Sequence, residues 1–326
     1  MSKKAAAKKT DNLANDFMTA RKQVQKFLLG QDRVIDLTLT SILAGGHAVL
    51  VGLPGLGKTR LVHTISTVLG LDSRRIQCTP DLMPADILGS EILQQDEKGQ
   101  RHFKFIKGPV FCQLLMADEI NRASPRTQSA LLEAMQERRV TIAGHSHDLP
   151  APFHVLATQN PLEQEGTYPL PEAQRDRFLM QIDITYPDFK DEKAMVLATT
   201  AGVEDKVKTL FSADQLMDLQ SEIRNMPLGD KILETALKLV TSLRPDAGQD
   251  NPLKELIAWG PGPRASQTLV QTAKAYAFLN GREAPVVEDI ETLAVPVLKH
   301  RMELTLSARA DGRQIDDVIL NAVKAL

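Results

Sequence analysis

The chain has 326 residues, enough for two domains, and its composition of 43% hydrophobic and 25% charged residues is typical of a protein with a packed core. Its net charge of −2 and aromatic content of 4% argue against a general nucleic-acid-binding surface. No apolar run approaches the roughly 20 residues of a membrane helix, and no apolar segment of a signal peptide follows the N-terminal lysines. We therefore expect a cytosolic protein without a membrane span.

The N-terminal region before the first strand is predicted to contain a tail and two helices. Residues 1–10 carry four lysines and no acid, which indicates a flexible basic tail. Apolar spacing predicts one helix over residues 11–29, ending at Gly30, and a second over residues 32–44, ended by two glycines.

Cys78 and Cys112 lie in apolar segments without zinc-site spacing, so we interpret both as reduced core residues.

The segment HAVLVGLPGLGKTRL, residues 47–61, contains the phosphate-binding pattern GxxxxGK[ST] between a predicted strand and a predicted helix. Glycines let the loop backbone curl so that its N–H groups surround a phosphate, while Lys58 reaches the γ-phosphate and the Thr59 hydroxyl holds Mg²⁺. The alternative is a glycine-rich turn without a ligand, which the flanking strand and helix disfavour. The predicted nucleotide contacts are Gly52, Pro54, Gly55, Leu56, Gly57, Lys58, Thr59 and Arg60.

A β-hairpin is predicted after a short strand over residues 74–78 and a loop with the sequence PDLMPADILG. Two alternating runs, residues 91–94 and 101–106, flank a tip over residues 96–99, where Gly99 suits the fourth position of a type I turn. The hairpin precedes the next core strand, so it is an insertion into the sheet topology. A mere surface decoration is the alternative interpretation.

Two carboxylates follow the next buried strand, which is predicted over residues 111–117. Asp118 and Glu119 stand where α/β proteins place ligand chemistry, at the carboxyl end of a strand. Asp118 then suits a position near Mg²⁺, and Glu119 suits the activation of the attacking water. A strand that ends in Asp-Glu is a weak signal by itself, but after a P-loop it is the expected partner.

Further candidates follow the predicted helix over residues 124–138. A second hairpin begins at residues 140–142, and its predicted tip, residues 144–147, carries His145 and His147. A metal site there lacks a third ligand nearby, so solvated tip residues are favoured. Asn160, after a strand over residues 153–158, suits a hydrogen bond to the γ-phosphate or the lytic water; an Asn-Pro turn is the alternative.

Three arginines complete the candidates. Arg175 and Arg177 lie on a helix predicted to begin at Pro171, before a strand over residues 180–184 that closes the sheet. Beyond residues 186–188 the chain is predicted to be helical. Arg264 follows a GPGP break in the first turn of a helix, where the helix dipole disfavours a cation. This unfavourable placement suggests a function for Arg264, with an ordinary surface arginine as the alternative.

These motifs resemble the MoxR family of AAA+ ATPases over nearly the whole chain after the tail. The matching segments are GLPGLGKT, LLMADEINRASPRTQSALLEAMQE, LATQNP, LPEAQRDRF and GPGPRAS. The resemblance implies an α/β fold with a P-loop αβα AAA+ core, a parallel sheet and β-hairpin inserts over residues 11–186. It also implies a small all-helical lid domain over residues 187–326 and hairpins that line the pore of a ring.

The resemblance also implies residue roles. Lys58 and Thr59 correspond to the Walker A motif, Asp118 and Glu119 to Walker B, Asn160 to sensor 1, Arg264 to sensor 2, and Arg177 to an arginine finger that serves a neighbouring subunit. Arg175 departs from the family, which usually has an apolar residue there. Side chains that are two positions apart on a helix point about 200° apart around its axis, so Arg175 and Arg177 are not expected to face the same phosphate. We prefer Arg177.

By resemblance the protein is a chaperone-like hexamer that binds ATP/ADP with Mg²⁺ and couples ATP hydrolysis to protein-complex maturation or metal-cofactor insertion. The family often works with a von Willebrand factor A domain partner. A nucleic-acid motor is the first alternative, favoured by Arg101, Lys104 and Lys107 on the first hairpin but opposed by the acids at its tip. A nucleotide-gated scaffold is the second alternative, and the presence of Glu119, Asn160 and Arg177 opposes it. The sequence does not identify the client.

Overall fold

The computed structural model describes residues 3–95, 97, 100–163, 165–200, 206–246, 253 and 255–326. In chain order, the strands are β1 Ala48–Gly52, β2 Ser73–Gln77, β3 Gly89–Gln95, β4 Arg101–Lys107, β5 Leu114–Asp118, β6 Arg139–Ile142, β7 His145–Asp148, β8 His154–Gln159, β9 Met180–Ile184, β10 Ile257–Trp259 and β11 Glu303–Leu304. The helices are α1 Lys3–Phe27, α2 Asp32–Leu43, α3 Lys58–Val68, α4 Pro84–Leu88, α5 Pro125–Glu137, α6 Glu172–Arg175, α7 Phe189–Thr200, α8 Ala213–Arg224, α9 Asp230–Ser242, α10 Pro263–Leu279, α11 Val287–Leu298, α12 Leu306–Ala310 and α13 Ile315–Lys324.

A parallel sheet with the strand order β2-β5-β8-β1-β9 forms the centre of the described chain. The inner strands β1, β5 and β8 are short and mostly buried, and β5 is buried at every position, as expected where helices cover both faces of a sheet. Because the strands are parallel, all of their carboxyl ends lie at one edge and all of their amino ends at the other. The loops after β1, β5 and β8 are therefore neighbours, which brings the predicted site together.

The C-terminal helices pack onto the sheet domain through a shared hydrophobic core. Leu269 and Ala273 of α10 belong to the same buried cluster as Ile35 and Leu39 of α2. The helix α10 also packs on α8, α9 and α11, so it is the central helix of the C-terminal region. This packing fixes the first turn of α10 against the amino edge of the sheet. No described helix is long and apolar enough to cross a membrane.

Two antiparallel hairpins project from the sheet domain. In the first, β3 pairs with β4, and Leu93 lies opposite Phe103; residues 96, 98 and 99 of its predicted turn lie outside the described residues. In the second, β6 and β7 are joined by Ala143 and Gly144, with φ of 48° and 84°, as two-residue hairpin turns require. The predicted tip over residues 144–147 is therefore wrong, because His145 and His147 belong to β7.

The two hairpins contact each other through aromatic rings. His147 of β7 stacks on Phe105 of β4, with ring centroids 4.1 Å apart and planes 19° apart. Phe105 also meets Phe111 edge to face at 5.6 Å. Among the described residues there is no group of three or more potential ligands that could hold a metal ion, so His147 acts here as a packing residue.

Other elements differ from the predictions. The region after residue 186 is not all-helical, because β10 and β11 pair antiparallel within it. The helix α1 begins at Lys3, so its backbone includes residues that the sequence places in the tail. The segment PDLMPADILG contains the short helix α4, whose Asp86 side chain accepts the backbone N–H of Met83 at 2.8 Å, a local cap that the loop prediction overlooked. Both cysteines are buried and unpaired by disulfides, as predicted.

Candidate nucleotide site

The loop between β1 and α3 has the backbone shape that the P-loop pattern predicts. Gly55 and Gly57 have φ of 84° and 79°, in the left-handed region that glycine adopts without strain. At Gly52 a Cβ atom would lie 2.8 Å from the carbonyl oxygen of Ile184, so β9 can pair this closely only with a glycine. The loop ends at the N-terminus of α3, where backbone N–H groups and the helix dipole favour an anion.

Lys58 lies inside this loop. Its Nζ donates to the carbonyl oxygen of Gly52 at 2.5 Å and lies 3.4 Å from that of Leu53. Burial lowers the pKa of Lys58, and the negative charges of Asp118 and Glu119 oppose that shift. The predicted phosphate-binding cation and the two predicted carboxylates therefore share one electrostatic environment at the carboxyl edge of the sheet.

Asp118, at the end of β5, is held by two neighbouring strands. The Thr158 hydroxyl of β8 donates to Oδ1 at 2.5 Å, and the Arg75 guanidinium of β2 donates to Oδ2 at 2.5 and 3.2 Å. Asp118 and the hydroxyl of Thr59, an exposed residue, are oxygen ligands of the kind that Mg²⁺ takes when phosphate oxygens complete its coordination. The donor set thus fits the predicted magnesium, with Arg75 as a contact that the sequence analysis missed.

Glu119 adopts an uncommon backbone conformation directly after β5. Its φ is 55°, a left-handed value rare for a residue with a side chain, and its N–H donates to the Thr158 hydroxyl at 2.9 Å. Its Oε2 accepts from Gln77 Nε2 at 2.8 Å and from Arg122 at 3.1 Å. The carboxylate is thus oriented by a strand on one side and by the following turn on the other, as suits a group that must orient water.

Asn160 is buried after β8, the strand between β5 and β1. Its Oδ1 accepts the backbone N–H of Leu162 at 3.2 Å, so the local turn that the sequence allowed is present. The side-chain nitrogen is the donor suited to a phosphate oxygen or a water. Asn160 therefore both stabilises its own loop and lies next to the strand ends that carry Glu119 and the P-loop.

A cavity of about 270 Å³ adjoins the P-loop, and neither Asp118 nor Glu119 lines it. Its walls combine aliphatic and aromatic carbon with loop backbone, which suits a largely apolar group. Gln31 fixes one wall by donating to the carbonyl oxygen of Thr185 at 3.1 Å. Gly55, Leu56, Gly57 and Arg60 in this lining are predicted nucleotide contacts, whereas the wall formed by residues 26–29, Gln31, Pro187 and Met195 was not predicted. The lining residues are Lys26, Phe27, Leu28, Leu29, Gln31, Gly55, Leu56, Gly57, Arg60, Pro187 and Met195.

Arg177 and Arg264 lie at the opposite edge of the sheet, in a second cavity of about 280 Å³. We call it the arginine cavity; its lining includes His47 and Leu179, which directly precede β1 and β9, so it belongs to the amino edge. A strand of β1's length spans about 16 Å at the usual rise of ~3.3 Å per residue. The structure therefore brings Lys58, Asp118, Glu119 and Asn160 together but separates the two arginines from them.

The predicted helix that carried both Arg175 and Arg177 is wrong. The helix α6 ends at Arg175, and Arg177 lies in the turn that follows, its N–H donating to the carbonyl oxygen of Gln174 at 3.2 Å. The 200° argument therefore does not apply. Arg175 lies over the Trp259 ring at 5.9 Å, whereas Arg177 donates to the carbonyl oxygen of Leu132 at 2.6 Å in the arginine cavity. A cation over an aromatic ring accounts for Arg175 at a position where an apolar residue is usual in the family.

A third arginine, Arg301, lies in the wall of the arginine cavity and was missed by the sequence analysis. It is 1% exposed, and its Nε donates to Asp176 Oδ1 at 2.7 Å. Burial lowers the pKa of Arg301, and Asp176 opposes the shift by favouring the charged form. Asp176 also lies 3.4 Å from Arg264 NH1. No sequence pattern connects residues so far apart in the chain, so only the fold reveals this cluster.

A P-loop, two carboxylates after the neighbouring strand and a helical C-terminal region packed on the sheet define an AAA+ ATPase. Residues 47–180 match the family described as the ATPase family associated with various cellular activities (AAA), and residues 253–321 match the AAA lid domain. A solved structure from Cytophaga hutchinsonii, described as a candidate ATPase, is similar with a TM-score of 0.91 and 38% identity, covering 99% of this chain and 98% of that one.

Sequence relatives identify the particular family. The chain is 40% identical to Chaperone MoxR1 of Mycobacterium tuberculosis, across 92% of this chain and 79% of that protein. It is 31% identical to Protein MoxR of Paracoccus denitrificans, across 89% of each. The chain belongs to the MoxR family of AAA+ ATPases, and its reaction is the hydrolysis of ATP. The predicted family, fold class and enzymatic activity are thereby confirmed.

Proposed function

We propose that this chain assembles into a homo-oligomeric ring, a hexamer, in which each ATP is hydrolysed between two subunits. The observation that carries the proposal is the separation of Arg177 and Arg264 from the P-loop of their own chain. Both lie in the arginine cavity at the amino edge of the sheet, about one strand length from Lys58. Cations that serve phosphoryl transfer must approach the γ-phosphate closely. A neighbouring copy, placed with its P-loop against this cavity, provides that phosphate.

The contacts described above support the following roles at the P-loop. Backbone N–H groups and Lys58 bind the phosphates, Thr59 and Asp118 hold Mg²⁺, and the cavity beside Gly57 receives the base. Magnesium supplies charge neutralisation at the phosphate oxygens. Glu119 orients and deprotonates the attacking water, and Asn160 donates to that water or to the γ-phosphate. Arg177 and Arg264 of the neighbour stabilise the charge that develops during transfer.

A protein client is favoured over nucleic acid by the surface of the first hairpin. Phe103 is 71% exposed and its cross-strand partner Leu93 is 54% exposed, so the hairpin presents an apolar pair to solvent. Exposed apolar pairs of this kind suit transient contact with apolar segments of a protein. We infer chaperone-like remodelling or maturation of protein complexes, or metal-cofactor insertion, in the cytoplasm, with a von Willebrand factor A domain protein as partner.

A nucleic-acid motor is the second candidate, and three cations on β4 favour it. Lys104 lies opposite Ile92 on the hairpin, while Lys107 Nζ lies over the Phe111 ring at 5.2 Å. Filter binding with single- and double-stranded DNA and RNA at near-physiological salt separates the two candidates. The protein-client proposal expects no retention above the level of a variant with Arg101 and Lys104 changed to glutamine. A nucleotide-gated scaffold is disfavoured by the oriented Glu119.

The test of the shared site is complementation between two inactive variants. Arg177→Ala keeps its P-loop but lacks the arginine, and Lys58→Ala keeps the arginine but lacks phosphate binding. Each alone should hydrolyse ATP poorly, and their co-assembled mixture should recover activity, because some Arg177→Ala P-loops then face an intact Arg177. Arg175→Ala, whose side chain lies on Trp259, is the matched control and should lose little. Demonstrated co-assembly without recovery would place Arg177 in the site of its own chain.

A further inference from the structure

We propose that Asp176 is a positioning residue that holds Arg264, and with it Arg177, toward the nucleotide of the neighbouring subunit. The proposal rests on the shared site proposed above. The observation that supports it is that each carboxylate oxygen of Asp176 contacts a different arginine. Oδ1 accepts from Arg301 Nε at 2.7 Å, and Oδ2 lies 3.4 Å from Arg264 NH1. Arg177 is the next residue in the chain, so a fixed Asp176 also fixes the start of Arg177.

Arg301 ties Asp176 to the sheet domain through its hydrogen bonds. The Arg301 guanidinium is buried, and it donates to the carbonyl oxygens of Phe178 at 2.7 Å and of Leu179 at 3.0 Å, in addition to Asp176. Phe178 and Leu179 lead into β9 of the sheet domain, whereas Arg301 follows α11 of the C-terminal helices. A buried guanidinium whose donors are satisfied this way has a single favourable geometry, because each lost bond would leave a buried polar group unpaired.

Arg264 is the more exposed and less tightly held partner of Asp176. Its side chain is 49% exposed, and it lies in the first turn of α10, where the helix dipole repels a cation. Arg138, Arg177 and Arg301 also line the arginine cavity, and Asp176 is the only acid among the described lining residues. Without that carboxylate, Arg264 would face positive charge from the helix and from three other arginines. Repulsion would turn it toward solvent and away from the cavity.

Asp176→Asn tests this role, because the amide oxygen can still accept a hydrogen bond from Arg301 while the attractive charge is lost. ATP binding should remain, since the P-loop lies at the opposite edge, and turnover should fall on the order of 10²-fold through misplaced arginines. Asp289→Asn is the matched control: Asp289 also pairs with an arginine, Arg282 at 2.5 Å, and its side chain is more buried than that of Asp176, 3% against 26% exposed, but it lies away from the cavity. It should lower stability at least as much and leave the turnover of the folded protein within about twofold, because it moves no arginine of the site.

Mixing experiments separate a positioning role from a structural one. Asp176→Asn mixed with Lys58→Ala should recover activity, because the intact P-loop of the first variant then meets the intact arginines of the second. Asp176→Asn mixed with Arg177→Ala should not recover, because both lack a functional arginine face. The reverse pattern, recovery only with Arg177→Ala, would overturn the proposal and place the defect at the P-loop of the variant's own chain. Turnover equal to or above the unmodified protein would overturn it as well.

A second variant, Asp176→Glu, tests the role of Asp176 if Asp176→Asn fails to fold. Asp176→Glu keeps the charge that neutralises Arg301 but lengthens the side chain, so it should fold, lose about tenfold in turnover through displacement of Arg264, and show the same mixing pattern. Full activity of Asp176→Glu, or the reverse mixing pattern, would overturn the proposal. Recovery between Arg177→Ala and Lys58→Ala is measured alongside. If that mixture does not recover activity, the shared site itself is wrong. If it recovers activity but the Asp176 variants show the reverse mixing pattern, only the role of Asp176 is wrong.

Discussion

Arg75 and Asp118, on the adjacent strands β2 and β5, form an ion pair at the place proposed for magnesium. Arg75 NH2 lies 2.5 Å from Asp118 Oδ2, and the arginine side chain is 51% exposed. The guanidinium and Mg²⁺ are both cations, so they compete for the same carboxylate charge. The arginine neutralises a buried Asp118 when no metal is bound, and it lowers the apparent affinity for the metal.

Arg75→Gln should therefore increase the Mg²⁺ affinity of the ADP-bound protein. A half-exposed pair contributes on the order of 0.2–1 kcal/mol, which corresponds to about a 1.5- to fivefold shift. Titration of Mg²⁺ into protein with fixed ADP, followed by calorimetry, measures the shift without relying on turnover. Arg74→Gln, one position along the same strand and facing away, is the control. Weaker Mg²⁺ binding by Arg75→Gln would mean that the arginine organises the metal site instead.

Lys58→Ala should abolish nucleotide binding. The variant leaves the phosphate charge to backbone N–H groups alone, because Lys58 is the cation enclosed by the loop and close to Asp118 and Glu119. Fluorescence titration with a labelled ADP measures the loss of affinity. We expect the dissociation constant to rise more than 100-fold, and each tenfold rise corresponds to about 1.4 kcal/mol. Arg60→Ala, at the rim of the base cavity, is the control and should weaken binding far less. Retained binding by Lys58→Ala would contradict the assignment.

Glu119→Gln should bind ATP and hydrolyse it at least 100-fold more slowly, because general base catalysis contributes about 10²- to 10⁴-fold. The amide keeps the size of the side chain but cannot deprotonate water. Single-turnover hydrolysis with radiolabelled ATP measures the step directly. The contact of Glu119 with Gln77 gives a second variant: Gln77→Ala should change turnover less than Glu119→Gln, because Arg122 still holds the carboxylate. Undiminished turnover in Glu119→Gln would place the catalytic carboxylate elsewhere.

The residues of the site that can be predicted from the sequence are those that belong to short local patterns. Lys58 and Thr59 follow a glycine pattern between a strand and a helix, and Asp118 and Glu119 end an apolar strand, so parallel strand ends suffice to bring them together. The contacts of Arg75 and Gln77 were missed because they depend on β2 lying next to β5. Their alternation places both on one face of β2, a signal that gains meaning only with the strand order.

The arginine cavity could not be predicted because it depends on contacts across the whole chain. Asp176 and Arg301 are brought together by the packing of α11 on the sheet domain. The helix expected to carry Arg177 ends early because the backbone N–H of Leu179 donates to the carbonyl oxygen of His47 at 2.8 Å, which starts β9 beside β1. A tertiary hydrogen bond thus overrides local helix propensity.

Three buried histidines should make stability fall in mild acid. Burial is the main cause that lowers the pKa of His47 to about 3, that of His154 to about 4, and that of His300 well below its usual value. Each is neutral in the folded state and titrates near pH 6.5 when unfolded. Below that pH the unfolded chain takes up protons that the folded chain refuses, so stability is present above about pH 6.5 and is lost as the pH falls toward the folded pKa.

The expected slope is at most about 1.4 kcal/mol per pH unit for each histidine. Urea unfolding at pH 7, 6 and 5 measures it. His154→Gln should flatten the slope, because its Nδ1 contact with the carbonyl oxygen of Gly46 at 2.9 Å can be kept by an amide that does not titrate. The exposed His145→Gln is the control and should leave the slope unchanged. Equal slopes for the unmodified protein and His154→Gln would show that His154 is not a source of the acid sensitivity.

ATP should stabilise the ring, because each bound γ-phosphate would join the P-loop of one subunit to Arg177 and Arg264 of the next. Mass photometry of Glu119→Gln, which should retain ATP, is expected to show a larger ring population with ATP than with ADP, since ADP lacks the phosphate that the arginines contact. Arg177→Ala in the Glu119→Gln background should reduce that difference, and Arg175→Ala should not, because Arg175 lies on Trp259. Lys58→Ala should show no nucleotide dependence at all. A population that stays monomeric with ATP at micromolar protein would remove the shared site from the mechanism.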